Sequence, residues 1–317
     1  MNQKLHIALV ILFGLLIGTS GQVTAGKRPV FKDAACDALD LRYRSTVARI
    51  DPRELNFLLF DAVAKGCIDL TVKILDNGAV VTARDRFGNT PLLVAARMGH
   101  NSIIDLMIER GANVHQLNLA GSSALLRAVT NGRRKAAKRL LELEVDVNLA
   151  NKKGMTPLIA ASYTGKKRVV KMLLDNGADV SAVDSSGKGS LVYAAGKGYV
   201  SIARLLLSTN KIDVNKKYGN NLTALMWAAG HGNDVPEREG IEIVNLLLDE
   251  GAELDHIDNR GRTALSIAAS RGHEALTMLL LEKGAGNIAD KQGLTAADLA
   301  SNARIKELLQ SHEWPRG

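Results

Sequence analysis

The segment Thr90-Pro91-Leu92 returns as Ser123-Ala124-Leu125, then as Thr156-Pro157-Leu158, then as Gly189-Ser190-Leu191, each 33 residues after the last. A fixed period of roughly 20 to 50 residues constrains the fold severely, because one such unit cannot bury its own apolar face and must stack on its neighbours to share a core. Length alone, at 317 residues, would suggest two ordinary domains, but a stacked array grows along one axis and counts as one. Such a stack presents a long surface and has no inherent reaction centre.

Each part of the unit has a mechanical reading. In Asp85-Arg86-Phe87-Gly88-Asn89-Thr90-Pro91-Leu92 the Thr hydroxyl caps a helix, and Pro follows where its missing N–H costs nothing. Alanine pairs at Ala95-Ala96, Ala194-Ala195, Ala228-Ala229 and Ala268-Ala269 let helices approach closely. Leucine runs at 205–207, 246–248 and 279–281 mark the buried stripe of a second helix. Gly78, Gly111, Gly177, Gly251 and Gly284 stand where that helix ends in a left-handed residue.

These residues in this register resemble the ankyrin repeat family. The motif recurs around Gly121, Gly154 and Gly187, around Thr223 and Thr263, and in degraded form from Gly293 to Ala300. The resemblance implies an all-α solenoid of stacked helix-turn-helix units with projecting β-turns, about eight units including atypical caps, over residues 52–310. Residues 26–51 form an N-terminal extension, with a short helix expected from Ala34 to Tyr43, and residues 311–317 a loose C-terminal tail. One departure is regular: the His that often follows Thr-Pro-Leu is replaced by Leu93, Leu126, Ile159, Val192, Met226 and Ser266, which predicts a weaker polar capping network.

Residues 1–25 read as a secretory signal. Lys4 supplies the positive start, Ile7 to Ile17 is a nearly unbroken apolar run, and Val23-Thr24-Ala25 offers small residues before Gly26. The run is too short for comfortable membrane spanning, so cleavage after Ala25 and a soluble, exported mature chain without a stable membrane span are expected, an uncleaved anchor being the alternative. In that setting the two cysteines, Cys36 and Cys67, are candidates for a disulfide, against the alternative of two small buried apolar side chains.

In ankyrin-like stacks the position two after the motif Leu faces a concave groove, and here it holds Val94, Arg127, Ala160, Tyr193, Trp227 and Ile267. Three residues further on stand Arg97, Thr130, Tyr163, Gly196, Gly230 and Ser270. Tyr163, Tyr193 and Trp227 thus fall on neighbouring units of one face in a chain that is only 4% aromatic, and they predict a partner-binding patch flanked by Arg97 and Arg127. The competing reading has the rings merely finishing the core.

The formal net charge is +8, and its placement says more than its size. Arg133, Arg134 and Lys138 recur one period later as Lys166, Lys167 and Lys171, with Arg204 continuing the line. On adjacent helices these form a basic ladder suited to an acidic surface or an anionic envelope component, or else a solvated face. Export and the lack of interleaved aromatics argue against nucleic acid. The spacing from Thr223 to Thr263 exceeds the period, and the surplus, Gly232 to Gly240, reads as an inserted loop.

No nucleophile, base and electrophile set, metal spacing or phosphate loop is present, so neither enzymatic activity nor a cofactor or metal is expected. Gly187-Lys188-Gly189-Ser190 reads as a repeat turn, and Asn221-Leu222-Thr223 is a glycosylation sequon by pattern only. The expected function is a non-enzymatic protein-binding scaffold of the bacterial cell envelope, periplasmic, with a secreted effector that binds a host or neighbour-cell protein as the alternative.

Overall fold

A computed structural model of the chain describes residues 34–314 except Asn233; the expected signal over 1–25 lies outside the described residues. The described residues contain 17 α-helices and no strand, only two isolated bridges, Val183 with Gly189 and Tyr218 with Leu222. The helices pair into units. A short inner helix, α4 (Pro91–Met98), α6 (Ala124–Thr130), α8 (Pro157–Tyr163), α10 (Ser190–Gly196), α12 (Ala224–Ala229) or α14 (Ala264–Arg271), is followed by an antiparallel outer helix. The outer set comprises α5 (Asn101–Glu109), α7 (Arg134–Leu141), α9 (Lys167–Asp175), α11 (Val200–Leu207), α13 (Glu237–Asp249) and α15 (Glu274–Glu282). Pairs α2 (Pro52–Lys65) with α3 (Ile68–Asp76), and α16 (Ala296–Leu299) with α17 (Ala303–Ser311), close the two ends.

Local chemistry sets each inner helix in place. Thr90, Ser123, Thr156, Thr223 and Thr263 accept the N–H of the residue three later, at 3.2 to 3.4 Å. The expected capping loss is therefore confined to the position after the motif Leu, where Leu93, Leu126, Ile159, Val192 and Met226 are buried as hydrophobes. Ser266 alone keeps a polar role there, its Oγ accepting the Thr263 N–H while Thr263 Oγ1 accepts the Ser266 N–H in a reciprocal capping box. Between units the projecting turns are built by an acceptor side chain: Asp85, Asn118, Asn151, Asp184, Asp258 and Asp290 each take backbone N–H groups two and four residues on. Successive turns are tied together by Leu119 N–H to Phe87 O at 3.1 Å, Lys152 to Ala120 at 3.0 Å and Ser185 to Lys153 at 2.9 Å.

Inner helices contact inner helices along the array and outer contact outer from α3 to α15, so one apolar core runs from Leu39 to Leu309. Each fully buried Leu or Ile contributes about 1.5 to 3 kcal/mol of transfer free energy, so even a short helix adds substantially to the stack. The first helix, α1 (Ala34–Thr46), extends three residues beyond the expected stretch and packs on α2 and α3. Cys36 and Cys67 stand at disulfide distance with Cα atoms 5.4 Å apart, and Lys73 Nζ reaches Asp40 Oδ1 at 2.9 Å.

Two segments differ from the sequence expectation. The surplus residues do not form a free loop: α13 begins at Glu237, and Val235 is buried against the corner at Gly198, where an added Cβ would sit 2.5 Å from Val235 Cγ1. At the C-terminus Ser311 still belongs to α17 and Trp314 packs on the core beside His312, so the tail is not loose as far as Trp314.

Candidate functional site

The concave face is built from the inner helices, whose seven- or eight-residue length in α4 to α10 places equivalent side chains side by side. Tyr163 on α8 and Tyr193 on α10 meet edge to face with centroids 5.2 Å apart, and Tyr163 is 49% exposed. The Tyr193 hydroxyl donates to Asp184 Oδ2 at 2.5 Å, fixing the ring against its own turn. Burial, and then this bond to a carboxylate, push the Tyr193 hydroxyl up to about 12. Burial opposes the charge on Asp184, yet donors from Tyr193, Ser186 and two backbone N–H groups outweigh it and hold the carboxyl below its usual range.

Trp227 on α12 lies over Gly196, where an added Cβ would be 3.6 Å from Cε3, and its Nε1–H is buried with no acceptor. Lys188 links the rings: its ammonium stands 4.8 Å from the Trp227 centroid and 5.8 Å from that of Tyr193. The sequence places the three aromatics on neighbouring units, and in the structure Tyr163 meets Tyr193 while Lys188 bridges Tyr193 and Trp227. The signal for it was the repeat register, since Lys188 holds the position three before the motif Leu191, within the Gly187-Lys188-Gly189-Ser190 stretch otherwise read as a turn.

Arg97 at the end of α4 and Arg127 within α6 occupy the neighbouring part of the groove. Both are half-buried and each has a buried Nε without an acceptor. Arg127 holds its proton less tightly than a free guanidinium, first because it is buried and then because of the Arg97 charge.

The basic ladder divides on inspection. Lys138 lies 3.9 Å from Glu142, and Lys171 lies 2.9 Å from Asp175, so both are locally neutralised. Arg133 stretches across Gly99 and donates from Nε to the Arg97 carbonyl at 3.2 Å, and Lys166 lies across Gly132. These two are corner residues of the repeat, equivalent to His100, which covers Gly66 and bonds the Ala64 carbonyl at 3.1 Å. Arg134, Lys167 and Arg204 are exposed with no carboxylate partner among the described residues. The seven charges thus do not act as one uniform ladder.

Beside the insertion the rings of His231 and His273 stack at 4.1 Å and line a small cavity with Val235, Glu237 and Glu274. Among the described residues no group of His, Cys, Asp or Glu is placed to hold a metal ion, and no helix is long and apolar enough to cross a membrane.

Stacked helix pairs with projecting turns and a side-chain-lined concave face define a repeat-protein interaction module. A family model described as "Ankyrin repeats (3 copies)" matches residues 59–151, 143–218 and 237–313, and the chain belongs to the ankyrin repeat family. It is similar to the crystal structure of the human ASB11 ankyrin repeat domain, at 27% identity and a TM-score of 0.61, over 72% of this chain and 100% of that one. Proteins of this fold serve generally as scaffolds for protein interaction, typically without enzymatic activity.

Proposed function

We propose that the chain is an exported, non-enzymatic scaffold of the bacterial cell envelope that binds a partner protein in its concave groove. The observation that carries this reading is the line of Tyr163, Tyr193 and Trp227 on three consecutive inner helices, with Tyr163 edge to face on Tyr193 and Lys188 over Tyr193 and Trp227. Aromatic anchors with a half-exposed face and a polar handle supply most of the energy in protein interfaces. Export rests on the leader pattern of residues 1–25 and on a cysteine pair suited to an oxidising compartment.

The test compares the chain from Gly26 with a Tyr163→Ala, Tyr193→Ala, Trp227→Ala variant in capture from envelope extract, after circular dichroism has shown both to be folded. A partner retained by the wild type should lose about 2 kcal/mol or more of affinity to the variant. Equal capture would remove the groove from the interface. Fractionation tests the compartment: recovery with periplasmic markers fits the reading, whereas recovery from the medium points to a secreted effector.

A further inference from the structure

Among the described residues outside the groove, the half-buried Arg139 and Arg262 and the exposed Arg110 and Arg84 all have acceptors. Arg139 Nε lies 2.6 Å from Asp105 Oδ1, Arg262 Nη2 2.9 Å from Asp258 Oδ2, and Arg110 Nη1 2.8 Å from Asp76 Oδ1. Arg84 donates from Nη1 to the carbonyls of Gly88 and Leu117 at 2.7 and 2.9 Å. Arg97 and Arg127 are treated differently. Neither has an ion pair among the described residues, both leave a buried Nε–H without an acceptor, and the two positive charges repel one another across adjacent helices. The acid whose charge acts on Arg127 is Asp85, and its oxygens already accept from Phe87 N–H, Asn89 N–H and Asn89 Nδ2.

Further along the same face Lys188 has a cation–π position and no carboxylate partner among the described residues, and Trp227 Nε1–H again lacks an acceptor. Asp184, beside the aromatic cluster, is engaged by the Tyr193 and Ser186 hydroxyls and the Lys188 N–H. The groove therefore presents positive charge from Arg97, Arg127 and Lys188 that no carboxylate among the described residues neutralises, while Asp85 and Asp184 are already engaged. What it lacks is a planar anion with two acceptor oxygens, the group that a guanidinium fork matches best.

We propose that Arg97 and Arg127 form a carboxylate clamp for an acidic peptide segment of the partner, the remainder of which runs over Tyr163 and Tyr193 towards Lys188 and Trp227. The proposal rests on the groove being the binding face, and it adds the chemistry of the occupant. Four steps between inner helices at about 8 to 10 Å each give a path of about 32 to 40 Å. An extended strand of about ten to twelve residues spans it. Charge complementarity favours Asp and Glu at the Arg97 end of that strand and an apolar or aromatic residue at the Tyr163 end.

The direct test uses a synthetic 12-residue peptide, rich in Glu and Asp at one end with Leu and Phe at the other, and a Lys-substituted peptide of equal length as control. Binding to the chain from Gly26 is followed by fluorescence anisotropy and repeated with an Arg97→Gln, Arg127→Gln variant and with an Arg134→Gln, Lys167→Gln variant. The acidic peptide should bind the wild type and the exposed-base variant alike, and should lose about tenfold or more with the clamp variant. The Lys peptide should not bind. Melting temperature gives a second readout: the clamp variant, freed of two repelling and unsatisfied cations, should melt at or above the wild-type temperature.

Absence of wild-type binding up to about 1 mM peptide, retention by the clamp variant, or a lower melting temperature in that variant would each overturn the clamp. Competition by inorganic phosphate alone, with no preference for the acidic over the Lys peptide, would reassign the pair as a simple anion site and equally overturn it. The groove itself is judged separately. A partner that still binds the clamp variant but not the Tyr163, Tyr193, Trp227 triple variant sinks the clamp and leaves the groove standing, whereas a partner indifferent to both sinks the groove.

Discussion

At Glu144 the backbone takes φ = 55°, in the left-handed region. Counting the period of 33 from Gly111 lands on this residue, and counting from Gly177 lands on Asn210, which holds φ = 53°. The helix end that five glycines make elsewhere is thus made at these two sites by residues with a Cβ. Asn tolerates that region through its short polar side chain, but Glu pays about 1 kcal/mol or more for it. Glu144→Gly should raise the unfolding free energy by about 1 kcal/mol, and Asn210→Gly by about half as much or less, read from chemical denaturation midpoints; no gain at Glu144 would mean its side chain holds the corner in another way. A motif search finds the glycines because it reads side chains. It passes over Glu144 because the conformation of the backbone is the same while the letter is not. Lys188 was hidden for a related reason: its partners, Tyr193 and Trp227, are adjacent only after neighbouring units stack.

Among the elements, α1 is the least like a repeat and depends most on single ties. Beyond packing on α2 and α3 it has the Cys36–Cys67 pair, the Lys73 to Asp40 contact and the Tyr43 hydroxyl to Lys73 O at 3.4 Å. A bridge closing a sequence separation of 31 is worth about 3 to 4 kcal/mol in the chain-entropy picture. Cys36→Ser with Cys67→Ser should therefore release α1 to protease well below the global melt and lower overall stability by up to about that amount; unchanged cleavage would show that packing alone holds the helix. A short helix is expected from the sequence at the start of α1, and an even cysteine count makes Cys36 and Cys67 candidates for a pair, which the structure places at disulfide distance. The insertion was not legible. Gly232, Pro236 and Gly240 read as loop punctuation, yet Glu237 and Glu239 supply the acidic first turn that a helix favours and Ile241, Ile243 and Val244 its apolar side. The surplus was absorbed as extra turns of α13, with Val235 burying itself on the preceding unit.

For the whole molecule, the repeat period determined the architecture almost completely, since 33-residue units with alternating capped helices have one way to hide their leucines. The charge distribution was less legible: Lys138 and Lys171 carry their own acids one turn away, and whether a lysine is free depends on such rotamer choices. Because contacts run only between neighbours, protection from hydrogen exchange should be graded, with amides of α8 and α10 slowest and those of the four-residue α16 among the first to exchange; uniform protection would indicate all-or-none opening instead. The corner stacking adds a property that neither the period nor the core implies. His100 lies across Gly66, Arg133 across Gly99, Lys166 across Gly132 and Tyr199 across Gly165, each a different chemistry fitted to the same bare spot. The seams are keyed pairwise, so the units are not interchangeable beads. A gene that duplicated, dropped or shuffled one of them would still encode good repeats but would join some of them at a mismatched seam, and the order of the units is inherited as a whole.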